Sequence, residues 1–339
     1  RKLTSIGKVA TLIYTSGTTG NPKGAIISHK NIMASIRSIA NTLVNKSSIQ
    51  CINNEQFISY LPLNHIASQL MDIYLPIMTA GTVWFADRNA LKSSLSTTIR
   101  EVRPTIFVGV PRVWEKMSEE IQKKVEEQGF VGSLIKLTYS NKIIQKIGLE
   151  RCKLAITTTA PVSESARQYL QSVGINLYDI YGMSETTGPI SISVPGLNRV
   201  GSVGIPIMKV KITSKNTKEG SGEILVKGQN LFEGYFQDDD TTRKSFTKDK
   251  WFKTGDIGRI DGDGFLYITG REKDLIITAG GENVSPIPLE NKLKIYLGKY
   301  FSNVIVIGDK LKFISVLLNS EVPLPSNINS IIENAIVET

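Results

Sequence analysis

Ten consecutive residues, Thr15-Ser16-Gly17-Thr18-Thr19-Gly20-Asn21-Pro22-Lys23-Gly24, have the chemistry of an anion cradle. Gly17, Gly20 and Gly24 let the backbone approach an anion closely. The hydroxyls of Thr15, Ser16, Thr18 and Thr19 and the ammonium of Lys23 can donate to phosphate oxygens. It is not a Walker A loop, because Gly24 follows Lys23 where a Mg²⁺-binding Ser or Thr would stand. A Gly- and Thr-rich turn alone is more often a hairpin or a linker. Set between a strand and a helix, as the sequence predicts here, it reads as a phosphate site.

Three further groups can do chemistry. In Tyr178–Gly188 a strand delivers Asp179 and Tyr181 to a turn, where Gly182 leaves room for a planar ring beside the tyrosine. Glu185 offers a hard oxygen ligand for Mg²⁺, and Ser184 and Thr186 can donate to phosphate. In Trp251–Gly258, Asp256 follows a strand and can accept both hydroxyls of a ribose. In Tyr267–Ile277, Arg271 presents a rigid donor fork, ahead of Ala279–Val284 with its Gly280-Gly281 pair. Each of these three, in isolation, also reads as a surface turn.

The elements that must position these groups alternate. Strand patterns at Val9–Tyr14, Gln56–Leu61, Thr82–Phe85, Thr105–Gly109, Lys153–Thr157 and Ile175–Ile180 are interleaved with helical patterns. The helices are expected from about Ser28 (a cap with Asn31 behind it), at Ile66–Thr79, Ser93–Val102, Pro111–Gln128 and Ser163–Ser172. Such alternation predicts an α/β fold with a large N-terminal domain of mixed and parallel sheets. Short strands at Val210–Thr213, Gly222–Lys227, Trp251–Thr254, Gly258–Asp261 and Gly264–Thr269 predict a β-rich subdomain over 197–270. An α+β pattern restarts beyond Gly270, so Gly270–Asp274 reads as a hinge into a small C-terminal domain, 271–339. The apolar stripe Val113, Met117, Ile121 and Val125 suits a core-facing helix better than a membrane-facing one.

Composition narrows the function classes. The chain has 339 residues, 41% of them hydrophobic and 21% charged, which excludes disordered and fibrous classes. Two cysteines (Cys51, Cys152) and two histidines (His29, His65) supply neither a disulfide framework nor a dedicated zinc site. No apolar run approaches the roughly 20 residues that span a bilayer, and Arg1-Lys2-Leu3-Thr4 does not open a signal peptide. The expected location is the cytoplasm, or peripherally the cytosolic face of a membrane. Net charge is +9, and residues 1–54 contain seven Lys or Arg and no Asp or Glu. A positive field of this kind suits a phosphate-bearing ligand or a plain solvated surface. Nucleic acid is disfavoured, because the basic residues are scattered with no interleaved aromatic platform.

In this order the motifs YTSGTTGNPKG, YGMSETTG, KTGDIG and GREKDLI resemble the acyl-adenylate-forming (AMP-binding) superfamily over residues 8–320. Within it the chain is most similar to the bubblegum type of long-chain fatty acyl-CoA synthetase. That likeness rests on Leu61-Pro62-Leu63-Asn64-His65-Ile66-Ala67, on Arg103–Lys116, on Ser184 in place of the commoner Thr, and on Leu275–Val284. The resemblance implies an AMP-binding core, 1–270, and a partial mobile C-terminal domain, 271–339. It implies ATP, Mg²⁺ and CoA as cofactor and co-substrates, and a fatty acid as substrate. Thr15–Gly24 would grip the β- and γ-phosphates, with Lys23 catalytic. Tyr181 and Gly182 would flank the adenine with Asp179 near its amino group. Glu185 would hold the metal, Ser184 and Thr186 the α-phosphate, and Asp256 and Arg271 the ribose. Lys273 would be the hinge, Gly280 and Gly281 would border the pantetheine tunnel, and His65 would stand beside the acyl pocket unless it is a core histidine.

The implied activity is ATP-dependent formation of acyl-AMP and then acyl-CoA. The alternatives are an acyl-AMP ligase serving a carrier protein and an impaired nucleotide- or acyl-binding protein. Relative to the family the chain opens only about a dozen residues before the phosphate loop and looks short around Gln128–Glu150. It also ends before a C-terminal Gly-Lys motif, so the chain as it stands is expected to adenylate poorly.

Overall fold

A computed structural model describes residues 5–15, 21–47, 49, 53–127, 140–213 and 220–339. Its elements, in chain order, are β1 (Val9–Thr15), β2 (Lys23–Ser28), α1 (His29–Lys46), β3 (Gln56–Ser59), α2 (Ile66–Gln69), α3 (Leu75–Met78), β4 (Thr82–Phe85), α4 (Leu95–Val102), β5 (Ile106–Gly109), α5 (Pro111–Glu127), α6 (Ser140–Ile147), β6 (Leu154–Thr158), α7 (Glu164–Ser172), β7 (Leu177–Met183), β8 (Gly188–Ile192) and β9 (Ile205–Pro206). They continue with β10 (Lys209–Ile212), β11 (Gly222–Lys227), β12 (Gly234–Tyr235), α8 (Asp239–Lys244), β13 (Phe252–Ile260), β14 (Leu266–Arg271), β15 (Ile276–Ile277), β16 (Asn283–Val284), α9 (Pro286–Leu297), β17 (Asn303–Ile307), β18 (Ser315–Asn319) and α10 (Ile328–Val337). The mixed α/β class expected from the alternation is the one observed.

Contacts divide the chain into two compact units. The first is Arg1–Val210, Val226–Phe252 and Asp261–Leu266; the second is Lys211–Leu225, Lys253–Ile260 and Tyr267–Thr339. The boundary expected at 270 falls inside the second unit, which also takes in 211–225 and 253–260.

In the first unit a five-stranded sheet runs β5-β6-β7-β8-β9. β5, β6 and β7 are parallel, and β8 and β9 are added antiparallel. β8 is wholly buried and was not among the expected strands. The core beside this sheet centres on Trp114 and Phe107, both fully buried and packed edge to face at 5.3 Å. The Trp114 indole N–H satisfies itself on the carbonyls of Gly109 and Ile156, at 3.1 Å each. Gly109 permits this approach, because a Cβ there would lie 2.5 Å from the indole nitrogen. Val113, Met117 and Val125 of α5 pack against the same core, as the core-facing reading expected.

A three-stranded sheet, β1-β2-β12, corrects the opening motif's setting. β2 pairs antiparallel with β1, Thr15 opposite Lys23, so the motif caps a hairpin and does not join a strand to a helix. Helix α1 begins only after β2, where Ser28 and Asn31 form the reciprocal cap expected from their spacing. The expected helix Ile66–Thr79 contains a π turn, Leu70–Tyr74, ending two residues before Pro76. Pro76 has no N–H to give the ladder, and the Leu75 N–H bonds back to Leu70.

The second unit holds most of a four-stranded sheet, β10-β11-β13-β14, and the hairpins β15-β16 and β17-β18. Its core joins Leu293 and Leu297 of α9 to Val304 and Val306 of β17 and Ala335 of α10. Two strands expected at Trp251–Thr254 and Gly258–Asp261 are one, β13. Gly255, at φ +71, carries the irregularity within it, so Asp256 lies inside a strand and not after one.

Candidate active site

The first unit brings the hairpin base and the Ser184–Glu185 turn onto one tyrosine. Lys23 starts β2, and its ammonium lies 5.5 Å from the ring centre of Tyr235. The Tyr235 hydroxyl donates to Glu185 Oε1 at 2.8 Å. Burial, and then the negative charge of Glu185, push the Tyr235 hydroxyl above its ordinary value, so it stays a donor. The Thr15 hydroxyl donates to the Lys23 carbonyl at 3.4 Å, and Gly24 is buried against Tyr14, whose ring a Cβ would approach to 3.2 Å. Ser16, Gly17, Thr18, Thr19 and Gly20 lie outside the described residues, as do Cys51 and the first part of the stretch near 128–150.

Glu185 and Ser184 sit on a short 3₁₀ turn, Ser184–Thr186. Thr186 closes that turn from inside. Its side chain is fully buried, accepts from the Met183 N–H at 3.2 Å and reaches the Gly188 carbonyl at 2.5 Å. In this conformation the Thr186 hydroxyl serves the turn and positions Ser184 and Glu185. Gly182 is required by its neighbour strand as well, since a Cβ would stand 2.1 Å from the Gly188 carbonyl oxygen.

Asp179, one register step up β7, is held by Arg167 of α7 at 2.7 Å, with both side chains largely buried. Burial raises its carboxyl above the usual range, against the opposing pull of Arg167. Tyr181 is half-buried and pairs with Ser191 of β8.

An apolar cavity of about 320 Å³ opens against this turn. Its walls include Leu61, Ile66, Met71, Val110 and Ile180, and Gly182 and Ser184 close one side. His65 is exposed and stands at its edge at the start of α2, which removes the core-histidine reading. The size falls at the low end for a small-molecule site.

In the second unit Arg271 Nε donates to Asp256 Oδ1 at 2.8 Å, so these two expected residues are brought together. Lys273 lies in a single 3₁₀ turn, Glu272–Asp274, directly after β14. Gly280 and Gly281 are exposed in the loop joining β15 to β16, with Gly281 at φ +81.

Among the described residues no three His, Cys, Asp or Glu side chains group as a metal cage, at Glu185 or elsewhere. One carboxylate fits Mg²⁺, which keeps several waters and completes its shell with nucleotide phosphates. Sequence reasoning missed Tyr235 and Arg167. Tyr235 is 50 residues from Glu185 and Arg167 is 12 from Asp179, and neither belongs to a recognisable motif.

Comparison with known proteins shows the family. Residues 3–236 match the family described as AMP-binding enzyme. Long-chain-fatty-acid–CoA ligase ACSBG2 from Xenopus laevis is 42% identical over 351 residues, covering 94% of this chain and 46% of that protein. Human ACSBG1, also named a long-chain-fatty-acid–CoA ligase, is 39% identical, covering 95% of this chain and 48% of that protein. The chain thus spans about half the length of the curated relatives it matches. Among solved structures, o-succinylbenzoate coenzyme A synthetase from Bacillus subtilis in complex with ATP and magnesium ion superposes with a TM-score of 0.75 at 26% identity, over 98% of this chain and 64% of that one. Its complex with AMP gives the same TM-score over 97% and 63%. Among the described residues no helix is long and apolar enough to cross a membrane.

Proposed function

The chain belongs to the AMP-binding enzyme family, and from that premise we propose that its protein activates a long-chain fatty acid with ATP and passes the acyl group to CoA. The observation that carries this reading is the apolar cavity ending on Ser184, next to the Lys23–Tyr235–Glu185 cluster. An alkyl chain and a polyphosphate need these two environments side by side. The substrate class draws support from the relatives, which are named long-chain-fatty-acid–CoA ligases.

In the first step a carboxylate oxygen attacks the α-phosphorus, the bond to the bridging oxygen breaks, and pyrophosphate leaves. In the second, the CoA sulfur attacks the acyl carbonyl, the bond to the AMP oxygen breaks, and the thiol proton passes to solvent. The first step brings two anions together, so the work of this chain's residues is electrostatic and positional. Lys23, with Thr15, Ser16, Gly17, Thr18, Thr19, Gly20 and Gly24, neutralises and orients the phosphates. Ser184 donates to the α-phosphate. Glu185 holds Mg²⁺, which supplies charge neutralisation on the triphosphate. Asp179, fixed by Arg167, and Tyr181 with Gly182 take the adenine. Asp256 and Arg271 take the ribose, His65 borders the acyl chain, Gly280 and Gly281 border the CoA arm, and Lys273 is a hinge. The place of work that suits these substrates is the cytosol or the cytosolic face of a membrane.

The test is ATP–pyrophosphate exchange and CoA-dependent AMP release by the full-length protein. Exchange that depends on a long-chain acid, followed by AMP release on adding CoA, is the expected result. Exchange with no response to CoA turns the reading into a carrier-protein ligase, and no exchange with any acid overturns it.

A further inference from the structure

Tyr235 stands between the two charges that the proposed chemistry uses. It lies on β12, paired to β2 at Ala25, so the sheet that carries Lys23 also carries the tyrosine. Its hydroxyl reaches Glu185 Oε1 at 2.8 Å, and its ring centre is 5.5 Å from the Lys23 ammonium. Among the described residues Lys23 makes no ion pair with Glu185.

The ring is itself well fixed. Phe232 meets it edge-on at 4.9 Å, and the Phe232 N–H donates to the Glu185 carbonyl at 2.8 Å. Phe232 is packed in turn by Phe246 and Phe252. The Tyr235 N–H donates to Thr242 Oγ1 at 2.8 Å, which ties the main chain to α8.

A half-buried lysine and glutamate left to themselves close into an ion pair, and an incoming metal–nucleotide complex must break it. The tyrosine gives each charge a different partner. The ammonium meets the negative ring face, and the carboxylate meets the hydroxyl proton. One carboxylate oxygen is thereby held while the other keeps its lone pairs.

Resting on the function proposed above, we infer that Tyr235 is a positioning residue. Its hydroxyl orients Glu185 toward the metal, and its ring holds Lys23 clear of that carboxylate until the triphosphate arrives. The two roles separate by substitution: Tyr235→Phe removes the hydroxyl and keeps the ring, while Tyr235→Leu removes both.

The experiment measures ATP affinity by calorimetry across a Mg²⁺ series in the full-length protein, with Mn²⁺ binding in the presence of ATP followed by electron paramagnetic resonance. Tyr235→Phe should raise the metal concentration for half-saturation about tenfold, the loss of one hydrogen bond to a charged group, and leave metal-free ATP affinity within about twofold. Tyr235→Leu should also weaken metal-free ATP binding, by about fivefold, because Lys23 is released to Glu185. In a Glu185→Gln background, adding Tyr235→Phe should shift the metal half-saturation by less than about twofold. Thermal melting of the Phe variant should match the parent. A half-saturation that is unchanged or lower in Tyr235→Phe, or the same shift in the Glu185→Gln background, overturns the inference while leaving the function standing. A parent protein that binds no ATP at any metal concentration overturns both.

Discussion

Arg271 Nε donates to Asp256 Oδ1 across 2.8 Å, from a side chain 55% exposed to one only 5% exposed. The carboxylate is the sunken partner and the guanidinium the one that meets solvent. Asp256 is therefore set in place by β13, and Arg271 covers it.

If Asp256 accepts the ribose hydroxyls, each bond is charge-assisted and contributes about 1.5–3 kcal/mol. Asp256→Ala should weaken ATP binding by at least about tenfold. Calorimetry on the folded variant checks this, and an unchanged affinity would remove Asp256 from the nucleotide site.

Glu185→Gln should leave the fold intact, since Gln still accepts from Tyr235 through its carbonyl oxygen. The metal requirement should rise and acyl-AMP formation should slow by about 10² or more, the scale for losing one preorganised electrostatic group. Normal activity at the same Mg²⁺ concentration would sink the metal assignment.

The cavity makes a prediction about chain length. Ala67 lines it, and Ala67→Phe shortens the space. A long-chain acid should then lose about tenfold or more in kcat/KM, and a short one much less, since each excluded methylene is worth about 1–3 kcal/mol. Equal losses across a series of acids would place the acyl chain elsewhere.

Asp72, in the π turn beside the cavity and 9% exposed, is pushed up to about 6 by burial, against a hydrogen bond with Ser59. Because its folded value lies above the unfolded 3.8, the folded state binds the proton more tightly. Its contribution to stability is full below about pH 4 and is lost as pH rises through about 6. Asp72→Asn should therefore match the parent near pH 4 and exceed it by about 2 kcal/mol at pH 7–8. Urea unfolding at the two pH values measures this; a variant no more stable than the parent at high pH would show that Asp72 is not strained there.

Local chemistry made much of this protein legible before any fold was known. Ser28 with Asn31 announces the start of α1, because a cap is a contact between residues three apart. The strand–helix alternation of 56–180 followed from hydrophobic periodicity, which records which face each element buries. Residue type and motif order singled out Asp256 and Arg271, which the structure brings together. The family itself was determined at this level, since each motif is a short contiguous run.

The tertiary structure decided the partners. Glu185 meets Tyr235 only because β12 pairs with β2, and backbone ladders carry no signal of the side chains they bring near. Thr186 faces inward because its turn needs an internal partner, a choice that residue type leaves open. Gly188-Pro189 opens a fully buried strand that was not expected, because burial on both faces outweighs local propensity. The hairpin strand β2 escaped notice because its residues alternate weakly: Gly24, Ala25, Ile27 and Ser28 are all buried. Spacing along a chain encodes what happens within a few residues; which surfaces then meet depends on how whole elements bury their apolar faces, and that is settled only when all of them are packed.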